Sequence, residues 1–474
     1  MLQRVGNAFR GGSFAIRRTS VYAQSVTRGS RQLFRGVNYS AYPTPQPKRS
    51  GWRWPIIISL ALGVSYFGFR YYTQHNYPPE VAAKLRKGLR AEIDGEGKGA
   101  KDYNLALKYY LEALEEADNV GLYYLSDEYT GLQIKICEMY EKLGMIEEAR
   151  LMYRELGTSF IQALADGKTV SPSLRPHMIQ RDLRVALKTA MYESSINPNV
   201  AKMGLLVHFL MAQKEVASRS PELAEMIKAE KNKESVNISL NLDPASIKQE
   251  HLDAWSPFRD ELFNARDMFV ALCLATGDIG LALQTKLATT EWMTTAGCEI
   301  GEILMSFYNV GSIFYLQSEE LELRESRNRD NEKEAEMSKK LAHDSLGNSS
   351  TCFNVILDAI EKLPGKIRRA TEVAEVQALS TYGLGVIALH KGDYNVASNL
   401  LREARLRAKG CEFHDLVNSA EIELEKVDKA QKELEQGEQV KYDPPAMDVF
   451  LTPKGKEGAD GEKQTQKPPA KSEN

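Results

Sequence analysis

The run TGLQIKICEMYEKLGMIEEARLMYREL, residues 130–156, decides the fold. Ile136, Cys137 and Tyr140 recur at helical spacing and share one face of a first helix. Lys142, Leu143 and Gly144 follow, and Gly144 is the residue type that a left-handed helix terminus needs. Ala149, Tyr153 and Leu156 then share one face of a second helix. The small side chains Cys137 and Ala149 let the two helices approach closely, while Tyr140 and Tyr153 fill the space beside them.

Counted from Thr130, these residues fall at positions 7, 8, 11, 15, 20, 24 and 27, which is tetratricopeptide (TPR) spacing. A second regular copy begins near Ala378, with Leu384, Gly385, Ala388, Gly392, Tyr394, Ala397, Leu401 and Ala404 at equivalent offsets. A third, near Phe263, has Phe269, Cys273, Gly277 and Ala282, but Lys286 occupies a large apolar position. Tyr103, Ala106, Tyr110 and Ala113 read as a second helix whose partner runs from Pro79 to Ile93. Phe307, Val310, Gly311 and Phe314 read as a first helix whose partner is displaced beyond the charged stretch 318–340. Residues 174–217 form a further pair around Pro198. The expected fold is therefore all-α: a TPR-like helical-repeat solenoid over 78–440, its better repeats at about 130–163 and 378–411. A non-repeat helical bundle is the alternative. The inserts near 218–257 and 318–340 are expected to be solvated, as functional additions or long loops. The tail 441–474 has the composition of a disordered segment. Its apolar island, Ala446 to Leu451, reads as a docking peptide or as a segment folding back on the array.

The first acidic residue is Glu80. Eleven Lys and Arg precede it, and subtracting them from the total of −3 leaves −14 on the remainder. An acidic helical part does not favour nucleic acid. Residues 1–40, rich in Arg, Ser and Gly, have the composition of a mitochondrial transit peptide. Arg31 to Ser40 resembles a two-step processing signal with Ala41 as the mature start. The alternative is a basic tail for anionic lipid or RNA. After a basic linker, 41–51, the segment 52–72 reads as one transmembrane helix. Its uncharged part, Trp54 to Phe69, rises about 24 Å, against a hydrocarbon core of about 30 Å. Arg53 and Arg70 snorkel, and Trp52, Trp54, Tyr66, Tyr71 and Tyr72 suit the headgroup zone. The basic N-terminal flank places the N-terminus in the matrix and everything from about His75 in the intermembrane space, if the membrane is the inner one.

No HExxH, GxxxxGK[ST] or GxSxG motif occurs, so no catalytic residue, metal site or cofactor is expected. The five cysteines stand far apart and read as small apolar core residues; His208 and His390 read as structural or surface residues. What remains is a binding surface. TPR arrays line their concave groove with first-helix positions 2, 5, 9 and 12. Here those positions include Ile134, Glu138, Glu141, Asp267, Leu274, Tyr308, Tyr315, Tyr382, Val386 and Leu389, a mixture suited to an extended or partly unfolded polypeptide. Tyr382, Val386 and Leu389 have a second reading, as contacts of the helix over 417–434.

A cleaved leader, one inner-membrane span and a TPR array that includes the turn Lys142 to Arg150 together resemble a known fungal family. That family is the TPR-containing adaptor subunit of the mitochondrial i-AAA protease supercomplex. The resemblance implies a non-catalytic inner-membrane adaptor. Its implied partners are the i-AAA protease, other adaptor subunits of that complex, unfolded polypeptides and inner-membrane lipid, with no nucleic acid. A rival reading of the same architecture is an assembly factor or scaffold for a respiratory complex of the complex III type. An outer-membrane import receptor would instead require an uncleaved anchor.

Overall fold

Sixteen helices and no strand occur among the described residues of the computed structural model, which are 77–95, 99–230, 238–240, 242, 247–327 and 331–436. The expected leader, processing site (Arg31, Ser40, Ala41), span 52–72 and apolar island lie outside them. Among the described residues no helix is long and apolar enough to cross a membrane. The chain divides into two compact units, with the boundary between Met139 and Tyr140.

In the first unit, α1 (Pro79–Asp94) and α2 (Tyr103–Asn119) pack as a pair, followed by the start of α3 (Asp127–Lys142). Pro79 opens α1, where its missing N–H costs nothing, and Asp102 caps α2 by accepting from the Leu105 N–H at 2.9 Å. Val81, Ala113, Ala117 and Leu132 form the core, with Tyr77, Leu122 and Tyr129 packed against it. Tyr110 is fully buried and lies over Gly88, where an added Cβ would meet its ring at 2.5 Å.

The second unit continues with α4 (Ile146–Asp166), α5 (Arg175–Ser194), α6 (Pro198–Arg219), α7 (Pro221–Glu230) and α8 (Gln249–Trp255). Then come α9 (Arg259–Ala275), α10 (Ile279–Thr295), α11 (Ile300–Arg327), α12 (Glu332–Lys362) and the short α13 (Gly365–Arg368). The last are α14 (Thr371–His390), α15 (Tyr394–Gly410) and α16 (His414–Glu435). Packing runs between neighbours along the chain: α5 on α6, α9 on α10, α11 on α12, α14 on α15 and α15 on α16. Helices two or more places apart also meet, with α9 on α5 and α6, and α14 on α11, α12 and α16.

The turn before α4 behaves as its sequence requires. Gly144 has φ +75°, a region costly for any residue with a Cβ. Arg150, from the same motif, donates to Glu147 and, at 2.7 Å, to the buried Glu193 of α5, fixing α4 to the next helix. In the copy near Ala378, a Cβ on Gly385 would lie 2.8 Å from Leu401 Cγ, so the small residue of α14 receives the large one of α15.

Two expectations change. Most of the charged stretch 318–340 is helical: α11 continues to Arg327 and α12 starts at Glu332. Its Glu, Lys, Arg and Ala residues are helix formers, and two long helices in contact can keep such a stretch helical without burying it. The insert near 218–257 is likewise partly helical, in α7 and α8. The long α12 also brings Phe353, fully buried, against Gly311 of α11 and Gly383 of α14, where added Cβ atoms would meet its ring at 2.7 and 2.5 Å.

This wedge predicts opposite signs for similar substitutions. Phe353→Ala should cost about 3–5 kcal/mol and Gly383→Ala about 1–3 kcal/mol. Gly347→Ala, at an exposed position of α12 with nothing within 4 Å, should stabilise by about 0.5–1 kcal/mol. Urea unfolding of the detergent-solubilised chain, followed by circular dichroism, measures all three.

Candidate functional site

Five of the residues expected to line a groove are buried in the second unit. Tyr308, Tyr315, Tyr382 and Val386 are each 1% exposed and Leu389 is also buried. The reason is α12. It packs on both α11 and α14, and the Phe353 ring lies 5.3 Å from that of Tyr308. Tyr315 is turned to His390, its hydroxyl 3.2 Å from Nδ1, while His390 Nε2 lies 2.9 Å from Glu322. α14 also packs on α16. The three acids are engaged in ion pairs: Glu138 with Lys135 at 2.9 Å, Glu141 with Lys188 at 3.1 Å, and Asp267 with the buried Lys286 at 2.6 Å. Lys286, an anomaly by repeat spacing, is thus neutralised by a residue of the expected groove. Ile134 and Leu274 are partly buried.

A different surface stands out, on α6. Asn197 caps this helix, accepting from the N–H groups of Asn199 and Val200, and Pro198 occupies its first turn. One face packs on α5 and α9 through Ala201, Leu205, Phe209, Ala212 and Val216, with polar residues among them. Lys202 is 8% exposed; it donates to Thr276 at 2.8 Å and pairs with Asp278. Gln213 is 6% exposed. His208 Nδ1 lies 2.8 Å from Asp182, a fully buried carboxylate of α5. Phe209 meets Phe269 edge to face at 5.0 Å. Arg266, 1% exposed, lies between the Phe209 and Trp292 rings and donates to Thr289 at 2.7 Å and to the Thr285 carbonyl.

The opposite face is apolar and exposed. Val200, Met203, Val207 and Leu210 are 42–59% exposed, and Ile196, just before the cap, is 58% exposed. The helical spacing of 3, 4 and 3 is a short heptad seam. At Gly204, beside the seam, an added Cβ would meet nothing within 4 Å. The stripe presents on the order of 450 Å² of apolar surface, the size at which an exposed patch is often functional. The neighbouring Asn199, Leu206 and Met211 are uncharged, and the exposed Lys214 follows the stripe one turn after Leu210. The helix is thus apolar on both sides: it buries Ala201, Leu205, Phe209, Ala212 and Val216 together with Lys202 and Gln213, and still presents a hydrocarbon stripe to water. Sequence spacing contains this seam, but the 174–217 pair matches the repeat poorly, and an apolar stripe reads as core until the opposite face is known to be the buried one.

Among the described residues no cluster of three or more His, Cys, Asp or Glu could hold a metal. The cysteines are free thiols, and burial pushes Cys273, Cys298 and Cys352 up to about 12, in keeping with packing rather than reactive groups.

The described residues are helices packed on their neighbours, with an apolar stripe of α6 left exposed. The model of the MGR3 middle domain matches residues 167–298, the segment that holds α6. The mitochondrial inner membrane i-AAA protease supercomplex subunit MGR3 of Saccharomyces cerevisiae is 35% identical over 412 residues, covering 78% of this chain and 81% of the yeast one. The MRG3-like protein of the same yeast is 32% identical over 460 residues, covering 84% and 94%. The chain belongs to the family of the i-AAA protease supercomplex subunit MGR3.

The pair beneath α6 makes stability depend on pH. Burial lifts the Asp182 carboxyl above its usual range, and His208 works against the lift. An acid whose folded pKa is raised contributes stability below its unfolded value, about 3.9, and loses it as pH rises through the folded value. Asp182→Asn should therefore match the parent near pH 4 and exceed it in urea midpoint as pH rises toward 7. A gap that narrows with rising pH would refute this sign.

Proposed function

We propose that the chain is a non-catalytic adaptor of the mitochondrial inner membrane that binds the i-AAA protease and unfolded substrate polypeptides and promotes their degradation. Family membership supports the link to the protease complex. The charge and hydropathy order of the first 76 residues supports a cleaved leader, one span over 52–72, an N-terminus in the matrix and a helical part in the intermembrane space. The order of small and large residues at TPR spacing supports reading the pairs at about 130–163 and 378–411 as TPR units and the others as degenerate ones.

The observation that carries substrate binding is the exposed seam of α6. Its occupant in this reading is an apolar segment of an unfolded client, docked as a helix. The flexible thioethers of Met203 and Met211 adapt to varied side chains. This is a property wanted of a surface that receives many sequences.

Met203→Asp combined with Val207→Asp should leave the unfolding midpoint within about 0.5 kcal/mol of the parent, since both positions are exposed. Affinity for an unfolded inner-membrane client should fall roughly tenfold or more. Co-purification with the protease in mild detergent should persist. Unchanged client affinity would remove the seam from the mechanism. Loss of an assembled respiratory complex on deletion, with no stabilised protease substrate, would favour the scaffold reading instead.

A further inference from the structure

We infer that the loop between α2 and α3 lies in the headgroup zone of the bilayer, with Val120, Tyr123 and Tyr124 as its lipid contacts. This rests on the single-span reading of residues 52–72. The loop is ordered by its own hydrogen bonds: the Leu122 N–H donates to the Ala117 carbonyl at 2.9 Å, Gly121 to Asp118 at 3.0 Å, and Ser126 to Tyr123 at 2.9 Å. Leu122 turns inward and joins the core of Val81, Ala113, Ala117 and Leu132. Its neighbours turn outward. Val120 is 42% exposed and Tyr123 and Tyr124 are 50% exposed each, the two rings packed edge to face at 5.1 Å.

The placement of this cluster follows from where the chain arrives. Tyr77 packs on the same core, and its hydroxyl donates to the Glu128 carbonyl of α3 at 3.2 Å. The hairpin of α1 and α2 brings the C-terminal end of α2 beside the N-terminal end of α1, so the loop stands where the chain enters the unit. Tyr72 closes the span in sequence, and five residues reach at most about 18 Å. The loop is therefore held within a short reach of the headgroups, whichever way the connection bends. Tyrosine, with an apolar ring and a polar tip, is the residue enriched in that zone. The nearby Asp118, Asp127 and Glu128 make a purely electrostatic hold on anionic lipid unsuitable, so the contact is of the partitioning kind.

The test replaces single residues of the full chain, reconstituted in phosphatidylcholine vesicles, by the photocrosslinker benzoylphenylalanine. The positions are 123, 124, Leu62 within the span, and Ile93. Ile93 is 69% exposed and lies near the far end of α1, about 20 Å from its start. Lipid adducts are expected at 123, 124 and Leu62 and not at Ile93, and those at 123 and 124 should be lost in detergent. Adducts at Leu62 alone, or protein adducts in place of lipid at 123 and 124, would overturn the inference while leaving the span intact. Absence of lipid adducts at Leu62 would overturn the span and the inference with it. Equal labelling with anionic cardiolipin added and at high salt is the expected sign of partitioning.

Discussion

In a chain whose described elements are all helices, a core closes only where one helix yields room to a large side chain of another. The clearest instance is Phe353, whose ring lies on Gly311 and Gly383 at once. No methyl group can be admitted at either glycine without moving an aromatic ring that is itself fully buried. Three helices are held in one register by that contact, and the covered state of Tyr308 follows from it. The same economy recurs where Tyr110 covers Gly88 and where Leu401 enters the space at Gly385. Each pairs a residue without a side chain with one of the bulkiest available, so the approach of the helices and the filling of the gap are a single event.

The polar interior obeys a second constraint. Buried charges persist only with partners, and here the partners come from other helices: Lys202 with Asp278, Arg150 with Glu193, Lys286 with Asp267, His208 with Asp182. Such pairs add little net stability, but they fix the rotation of each helix about its own axis. For α6 that rotation decides which face is open. With Lys202 and His208 turned to their partners, Val200, Met203, Val207 and Leu210 face water. The exposed face is the obverse of an internal electrostatic arrangement.

Membership of the MGR3 family joins these features to a membrane-bound proteolytic complex. Under the proposed reading, the exposed seam of α6 would give an unfolded polypeptide somewhere to rest, and the tyrosine-bearing loop, beside the proposed span, would limit how far the first unit tilts from the bilayer. Capture and orientation would then be separate tasks assigned to separate units, one set by α6 and the other by the turn after α2.

The helical class was legible in the residues alone, because apolar side chains recur at 3.6-residue intervals and Gly144 and Gly392 mark turns that only a left-handed residue permits. The pairing of α9 with α10 and of α14 with α15 was legible for the same local reason, as was the family resemblance. The open face was not. Repeat positions assume that every second helix has the standard length, and α12, grown out of a charged stretch, instead covers the tyrosines assigned to a groove. The seam of α6 was present in the sequence as spacing, but spacing is blind to which side of a helix is covered. Only tertiary packing decided that, because it alone brought Asp182, Asp278 and Phe269 to one side and left the hydrocarbon on the other.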